Sequence, residues 1–198
     1  VALEKREELD RYTYHVAGCV GEFWTEIHVA HRPRLAAWNV EAMKQKGIRF
    51  GKGLQMTNVL RDLAGDLRHG RCYLPLNALT RVGLTPADLL DPGAILKLGP
   101  LIMELLALTL EHYDAGWEYT LAIPRAEWRM RLACAWPLLI GLRTLKLVAG
   151  SPNLLDPREG IKIPRSMVYA ILARSLLVVR SNRLLAAEAK RLRARIPL

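Results

Sequence analysis

Leu54-Gln55-Met56-Thr57-Asn58-Val59-Leu60-Arg61-Asp62-Leu63-Ala64-Gly65-Asp66 sets the reading of the whole chain. Val59, Leu60 and Leu63 recur at helical spacing and predict a helix anchored in a core. Asn58, Asp62 and Asp66 stand at i, i+4 and i+8, so their oxygens project from one stripe, with Gln55 a turn earlier on nearly the same face. Stacked carboxylates repel by up to about 0.5 kcal/mol per exposed pair. The stripe therefore has a modest cost unless a cation sits on it. Two carboxylates and an amide oxygen are hard ligands suited to Mg²⁺, which completes its shell with water and phosphate oxygens. Arg61 and Arg71 lie close enough in sequence to grip the same phosphates. By spacing alone a solvated polar face remains the commoner meaning of such a stripe.

The same helical period extends in both directions. Residues 3–30 carry apolar side chains at Leu9, Tyr12, Val16, Val20, Phe23 and Ile27, and Pro33 separates this segment from a second helix over about 35–67. A connection over 68–83 contains Gly70, Pro75 and Gly83. Thr85-Pro86-Ala87-Asp88 predicts a short capped helix that Pro92-Gly93 ends. Long helices are predicted at about 94–121, 124–148 and 164–195. No alternating β-branched run between hairpin turns is present, so the fold class is all-α in a single domain. Leu98–Leu110 and Leu132–Leu142 are apolar around most of the helix. Such segments sit at a bundle centre or line an apolar cavity.

The 198 residues are 51% hydrophobic and 24% charged, which excludes a disordered tail. The net charge of +10 is concentrated from Lys162 onward, where nine basic residues face one acid, Glu188. That excess implies an anionic partner: diphosphate, lipid or nucleic acid. Leu176, Leu177, Leu184, Leu185, Leu192 and Ile196 alternate with arginines in this region, which suits an anionic membrane surface. The aromatic interleaving expected for single-stranded nucleic acid is missing, so nucleic acid is not expected as a partner. Cys19, Cys72 and Cys134 are too few and too scattered for a disulfide framework or a zinc site, which favours a reducing cytoplasm. The longest uncharged apolar run, Leu132–Leu142, is too short to cross a bilayer.

Three blocks carry a family resemblance. They are Tyr12-Thr13-Tyr14-His15-Val16-Ala17-Gly18-Cys19-Val20-Gly21, the Gln55–Asp66 stretch, and Gly70-Arg71-Cys72-Tyr73-Leu74-Pro75. In this order and spacing they resemble the squalene and phytoene synthases, head-to-head trans-isoprenyl diphosphate synthases built as isoprenoid-synthase-type helical bundles. The resemblance implies that Asn58, Asp62 and Asp66 ligate Mg²⁺ carried by a prenyl diphosphate, and that Gln55 lines the reacting centre. It also implies that Arg61 and Arg71 support the phosphates and that Tyr12 sits near the allylic cation. Gly18 and Gly21 each cost about 1 kcal/mol in a helix, so either a bulky ligand or another backbone approaches them closely.

Cys134-Ala135-Trp136-Pro137 and Gly160-Ile161-Lys162-Ile163-Pro164-Arg165 resemble the squalene synthase branch, where the latter turn is associated with NADPH. Lys162 and Arg165 are therefore expected cofactor contacts, although Pro164 stands where a basic residue is common. No GxGxxG exists, which excludes a Rossmann site. Gly47-Ile48-Arg49-Phe50-Gly51-Lys52-Gly53 imitates a phosphate loop but is one residue short and falls inside a helix. His28 and His31 have no companion ligands.

The expected reaction joins two farnesyl diphosphates through a cyclopropyl (presqualene) diphosphate to squalene with NADPH. A phytoene or dehydrosqualene synthase without the reductive step is the alternative, and a non-catalytic scaffold member a further one. The family carries a second aspartate-rich motif upstream of the Tyr12 block. Here only Glu4, Glu7, Glu8 and Asp10 precede it, and Glu4–Glu8 reads as a solvated helix face. Residues 1–198 are thus expected to form the C-terminal portion of one domain that lacks its N-terminal helices. That portion should be inactive alone, with the missing N-terminal part as its partner. A peripheral, membrane-associated cytoplasmic location fits a greasy product.

Overall fold

The computed structural model describes residues 2–158 and 160–197. Nine α-helices account for most of them: α1 Arg6–Thr13, α2 Cys19–His31, α3 Val40–Arg61, α4 Leu63–Arg68, α5 Leu76–Arg81, α6 Ile95–Ala122, α7 Trp128–Gly150, α8 Arg165–Val178 and α9 Asn182–Arg193. The all-α bundle expected from the sequence is what forms. α3 lies at its centre, packed between α2 and α6, and α7 closes the core from the far side.

The first helical segment departs from its predicted face. A π-helical turn, Tyr14–Gly18, joins α1 to α2. It adds a residue to that turn, so the inward positions run Leu9, Thr13, Gly18 and Thr25. Val16, Val20, Phe23 and Ile27, expected as core, are instead exposed, Phe23 to 62%. Glycine then allows α2 and α3 to touch backbone to backbone. A Cβ on Gly21 would fall on the Gly47 carbonyl, and one on Gly51 on the carbonyl of Ala17. These contacts, rather than a phosphate, account for Gly47 and Gly51 and favour the backbone alternative for Gly21, while a Cβ on Gly18 would first meet the Tyr14 ring at 3.0 Å.

The segment over 68–83, expected to be an irregular connection, carries structure of its own. Cys72–Pro75 forms β2, paired parallel with Ala2–Leu3 (β1), followed by α5. This two-stranded ribbon holds the start of α1 beside the chain that follows α4. The helix expected after Thr85 is reduced to two 3₁₀ turns, Asp88–Leu90 and Pro92–Ala94.

Residues 164–195 form two helices, not one, because Ser181 caps α9 by accepting from the Leu184 amide. Leu185, Leu192 and Ile196, expected on a membrane-facing stripe, are core residues; Leu176, Leu177 and Leu184 stay exposed. α6 and α7 are each long and apolar enough to cross a membrane, contrary to the expectation from the short Leu132–Leu142 run. In this fold they pack against α3 and each other, and α6 carries Glu104, Asp114 and Glu118 in ion pairs with Arg6 and Arg81, Arg193, and Lys46.

Candidate active site

The α3–α4 junction displays the acidic stripe. The helix axis breaks at Asp62, yet the Asp62 amide still donates to Asn58 and the Asp66 amide to Asp62, each at 2.9 Å. The i, i+4 ladder therefore survives the break and keeps the stripe aligned. Asn58, Asp62 and Asp66 line one polar hollow of about 240 Å³ with Tyr12, Gln55, Val59, Arg61 and Tyr73.

Gly70 explains the next feature. Its φ of +70° lets α4 end in a Schellman turn, with the Arg71 amide donating to Asp66 O (2.9 Å) and the Gly70 amide to Leu67 O (3.0 Å). The turn directs the chain into β2, which brings Tyr73 onto Tyr12. Their rings stack with centroids 4.7 Å apart and 21° between planes. Tyr73 lies within a quoted sequence block, but nothing in its spacing marks it as a site residue; only the β1–β2 pairing places it there.

Hydrogen bonds fix the donors in order. Gln55 Nε2 donates to the Tyr12 hydroxyl at 3.2 Å, and Asn58 Nδ2 donates to Gln55 Oε1 at 3.2 Å. The Asn58 Oδ1 is then the atom a cation would take. Burial, with the Tyr73 hydroxyl next in importance, pushes the Tyr12 phenol up to about 12. Burial and the charge of Asp62 hold the Asp66 carboxyl above its ordinary range, with Arg71 and His69 only partly opposing them. Two carboxylates and an amide oxygen facing one hollow, one carboxylate under electrostatic pressure, fit a hard divalent cation that draws further ligands from water and phosphate. Among the described residues no three His, Cys, Asp or Glu side chains gather into a self-sufficient metal cage.

Arg61 forms a fork on its neighbour Asp62, with Nε at 2.8 Å and a terminal nitrogen at 2.6 Å, so it is not free for phosphate in this arrangement. Arg71 is exposed beside the hollow and does not line it. Lys162 and Arg165 are exposed and lie outside the hollow, the latter as the first residue of α8. His28 accounts for itself by packing its ring, tilted, against Trp24 and bonding the Trp24 carbonyl through Nδ1.

An apolar pocket of about 250 Å³ begins one turn away along the same seam. Val16 follows Tyr12 by four residues and Leu54 precedes Asn58 by four; both line the pocket with Val20, Phe50, Tyr119 and Pro137. The polar hollow and the apolar pocket are thus consecutive between the first helical segment and α3. Behind them Thr57 and Tyr113 share a buried hydroxyl pair at 2.8 Å, and Gly141 leaves room for the Tyr113 hydroxyl.

Fold and site together define an all-α bundle with a polar, acidic hollow that neighbours an apolar pocket along α3. A family model described as squalene/phytoene synthase matches residues 2–166. The chain belongs to the squalene/phytoene synthase family. It is 29% identical over 172 residues to a 15-cis-phytoene synthase of Synechocystis, a match covering 82% of this chain and 49% of that protein. A phytoene synthase of Arthrospira platensis is 40% identical over 90 residues, 43% of this chain and 29% of that one. In fold, the chain resembles a dehydrosqualene synthase crystallised with a ligand (TM-score 0.72, 24% identity), with 91% of this chain and 60% of that one covered. The TcSQS–ligand complex is similar at a TM-score of 0.79 and 23% identity, covering 100% and 57%. The chain spans about half the length of the phytoene synthases it matches over most of its own length.

Proposed function

We propose that this chain supplies the diphosphate-holding and prenyl-holding part of an enzyme that joins two prenyl diphosphates head to head. The observation that carries the reading is the adjacency of the Asn58–Asp62–Asp66 hollow and the apolar pocket, one helical turn apart on one seam. Asn58, Asp62 and Asp66 would hold Mg²⁺, which when bound neutralises diphosphate and makes it a better leaving group. Gln55 and Tyr73 orient the Tyr12 ring. Its phenol keeps its proton to about pH 12, so it serves as a hydrogen-bond donor and a π face near positive charge, not as a base. Val16, Val20, Phe50 and Leu54 hold the prenyl chain and keep water from the allylic cation.

The finer reading is condensation of two C15 diphosphates through a cyclopropyl diphosphate to squalene. Lys162 and Arg165 are exposed and free of carboxylate pairs among the described residues, which suits the phosphate of NADPH but gives them no path to the hollow. A second reading, phytoene or dehydrosqualene synthesis without reduction, is favoured by the names of the relatives. The exposed stripe of Val16, Val20, Phe23 and Ile27 beside the pocket supports a further point: a second helical portion, as the longer relatives have room for, completes the cavity.

The test is product analysis of the longest natural form of the protein. It is supplied with C15 or C20 diphosphate and Mg²⁺, with and without NADPH, beside Asp62→Asn. Magnesium-dependent C30 or C40 product that the variant loses supports the reading, and the chain length and the NADPH effect separate the two finer versions. Full turnover by Asp62→Asn would overturn it.

A further inference from the structure

The α8–α9 corner holds a surface that the condensation site does not use. α8 turns Ile171 and Ser175 inward, and Trp136 Nε1 donates to Ser175 Oγ at 2.8 Å, which fixes the rotation of the helix. The opposite stripe, Arg165, Tyr169, Ala173, Leu176 and Leu177, is exposed along its length, and Leu177 is 83% exposed. Across the turn at Ser181, Arg183 and Leu184 continue the exposed surface at the start of α9. An apolar ridge of this kind on a folded core needs a reason, because α9 buries its other leucines completely.

Basic side chains frame the ridge. The guanidinium groups of Arg129 and Arg180 lie 5.0 and 5.5 Å from the Trp128 ring, so one indole carries two cations. Arg129, Arg165, Arg180 and Arg183 make no ion pair with a carboxylate among the described residues, whereas Arg174 and Arg191 share Glu188. The other exposed apolar stripe, on α2, has a different character: Glu22 and Glu26 flank it and pair with Lys44. Charge therefore separates the two faces.

We infer that the α8–α9 corner docks on an anionic bilayer, with Leu176, Leu177 and Leu184 entering the headgroup layer and Arg129, Arg180 and Arg183 meeting the lipid phosphates. Apolar insertion combined with basic side chains is the chemistry of a surface-lying amphipathic element. The Trp128 indole sits at the boundary such rings favour.

Co-sedimentation of the protein with vesicles of phosphatidylcholine alone or with 30% phosphatidylglycerol tests this. Binding to the anionic vesicles only is expected, and it should weaken as salt rises from about 0.1 M to about 1 M and the screening length falls from about 10 Å to about 3 Å. Leu176→Ser with Leu177→Ser should lower vesicle affinity at least about tenfold, since each leucine contributes through apolar area removed from water. Arg180→Gln with Arg183→Gln should lower it about fivefold per charge. Both pairs are exposed, so circular dichroism of the variants should match the parent. Val20→Ser with Phe23→Ser should leave binding unchanged. Equal binding to neutral vesicles, indifference to the α8 leucines, loss through Val20 and Phe23, or tighter salt-sensitive binding of single-stranded RNA than of vesicles would each overturn the inference.

Discussion

Asp66→Asn is expected to stabilise the metal-free protein and to abolish its response to magnesium diphosphate. Burial and the negative charge of Asp62 raise the Asp66 carboxyl above its ordinary range. A carboxyl that holds its proton more tightly when folded than when unfolded makes folding less favourable as pH rises past the ordinary carboxylate range. At neutral pH this residue therefore opposes folding. Asparagine keeps the shape and removes the charge, and the Asp66 carboxylate makes no hydrogen bond that would be lost with it among the described residues. Relief of an i, i+4 like-charge pair is worth about 0.5 kcal/mol. For a chain of this size that raises Tm by about 1–2 °C. The assay is thermal unfolding at pH 7.5 with and without Mg²⁺ and inorganic diphosphate. Ligand at about 100 times its Kd adds about 2.7 kcal/mol, a rise of about 5–10 °C in the parent. The variant should show the small rise in the metal-free state and no ligand shift. A lower metal-free Tm, or a ligand shift equal to the parent's, would refute the assignment of Asp66 as a carboxylate kept for a cation.

Other outcomes follow from residues away from the acids. Arg131 is fully buried and donates to Val179 O, Ile123 O and Asn182 Oδ1 at 2.6–2.7 Å, so Arg131→Met should cost about 3 kcal/mol in urea unfolding by orphaning three acceptors. Gly141→Ala should destabilise by about 1–3 kcal/mol, because the added methyl would sit on the Tyr113 hydroxyl; a neutral result would mean that α6 and α7 are not packed as described. Burial depresses His112 to about 4. The unfolded chain then binds the extra proton, so stability should rise between about pH 4 and pH 6.5 and level off above. His112→Gln should flatten that slope in acid titrations followed by circular dichroism. The 198-residue polypeptide alone is expected to release no C30 or C40 product from prenyl diphosphates, as read by chromatography of hexane extracts.

Much of the fold was legible because helical period and proline punctuation are local signals. Asn58, Asp62, Asp66 and Gln55 were legible as one face for the same reason, since four-residue spacing survives even a helix break at Asp62, whereas Tyr12 was reached only through the family resemblance. What escaped depended on contacts remote in sequence or on irregular backbone. The π turn at Tyr14–Gly18 moved Val16, Val20 and Phe23 out of phase, and a 3.6-residue period cannot register an inserted residue. The pairing of Ala2–Leu3 with Cys72–Pro75 joins segments remote in sequence, so Tyr73 gave no local sign of its stack on Tyr12. Arg61 lines the hollow, but its spacing gave no sign that the guanidinium forks onto the next residue, Asp62. On α9, Leu185 and Leu192 have the same composition signal as Leu184; only the cap at Ser181 fixes which of them faces the core.

Mn²⁺ paramagnetic resonance tests the central claim most directly, with Mn²⁺ standing in for Mg²⁺. In the protein with inorganic diphosphate the free-ion signal should fall and a bound signal should appear. Without diphosphate binding should be weak, because Asn58, Asp62 and Asp66 supply too few ligands alone. Asp62→Asn and Asp66→Asn should each restore the free-ion signal. Bound Mn²⁺ that is unchanged in both variants would contradict the account, since the ion would then be held somewhere other than the hollow beneath Tyr12 and Tyr73.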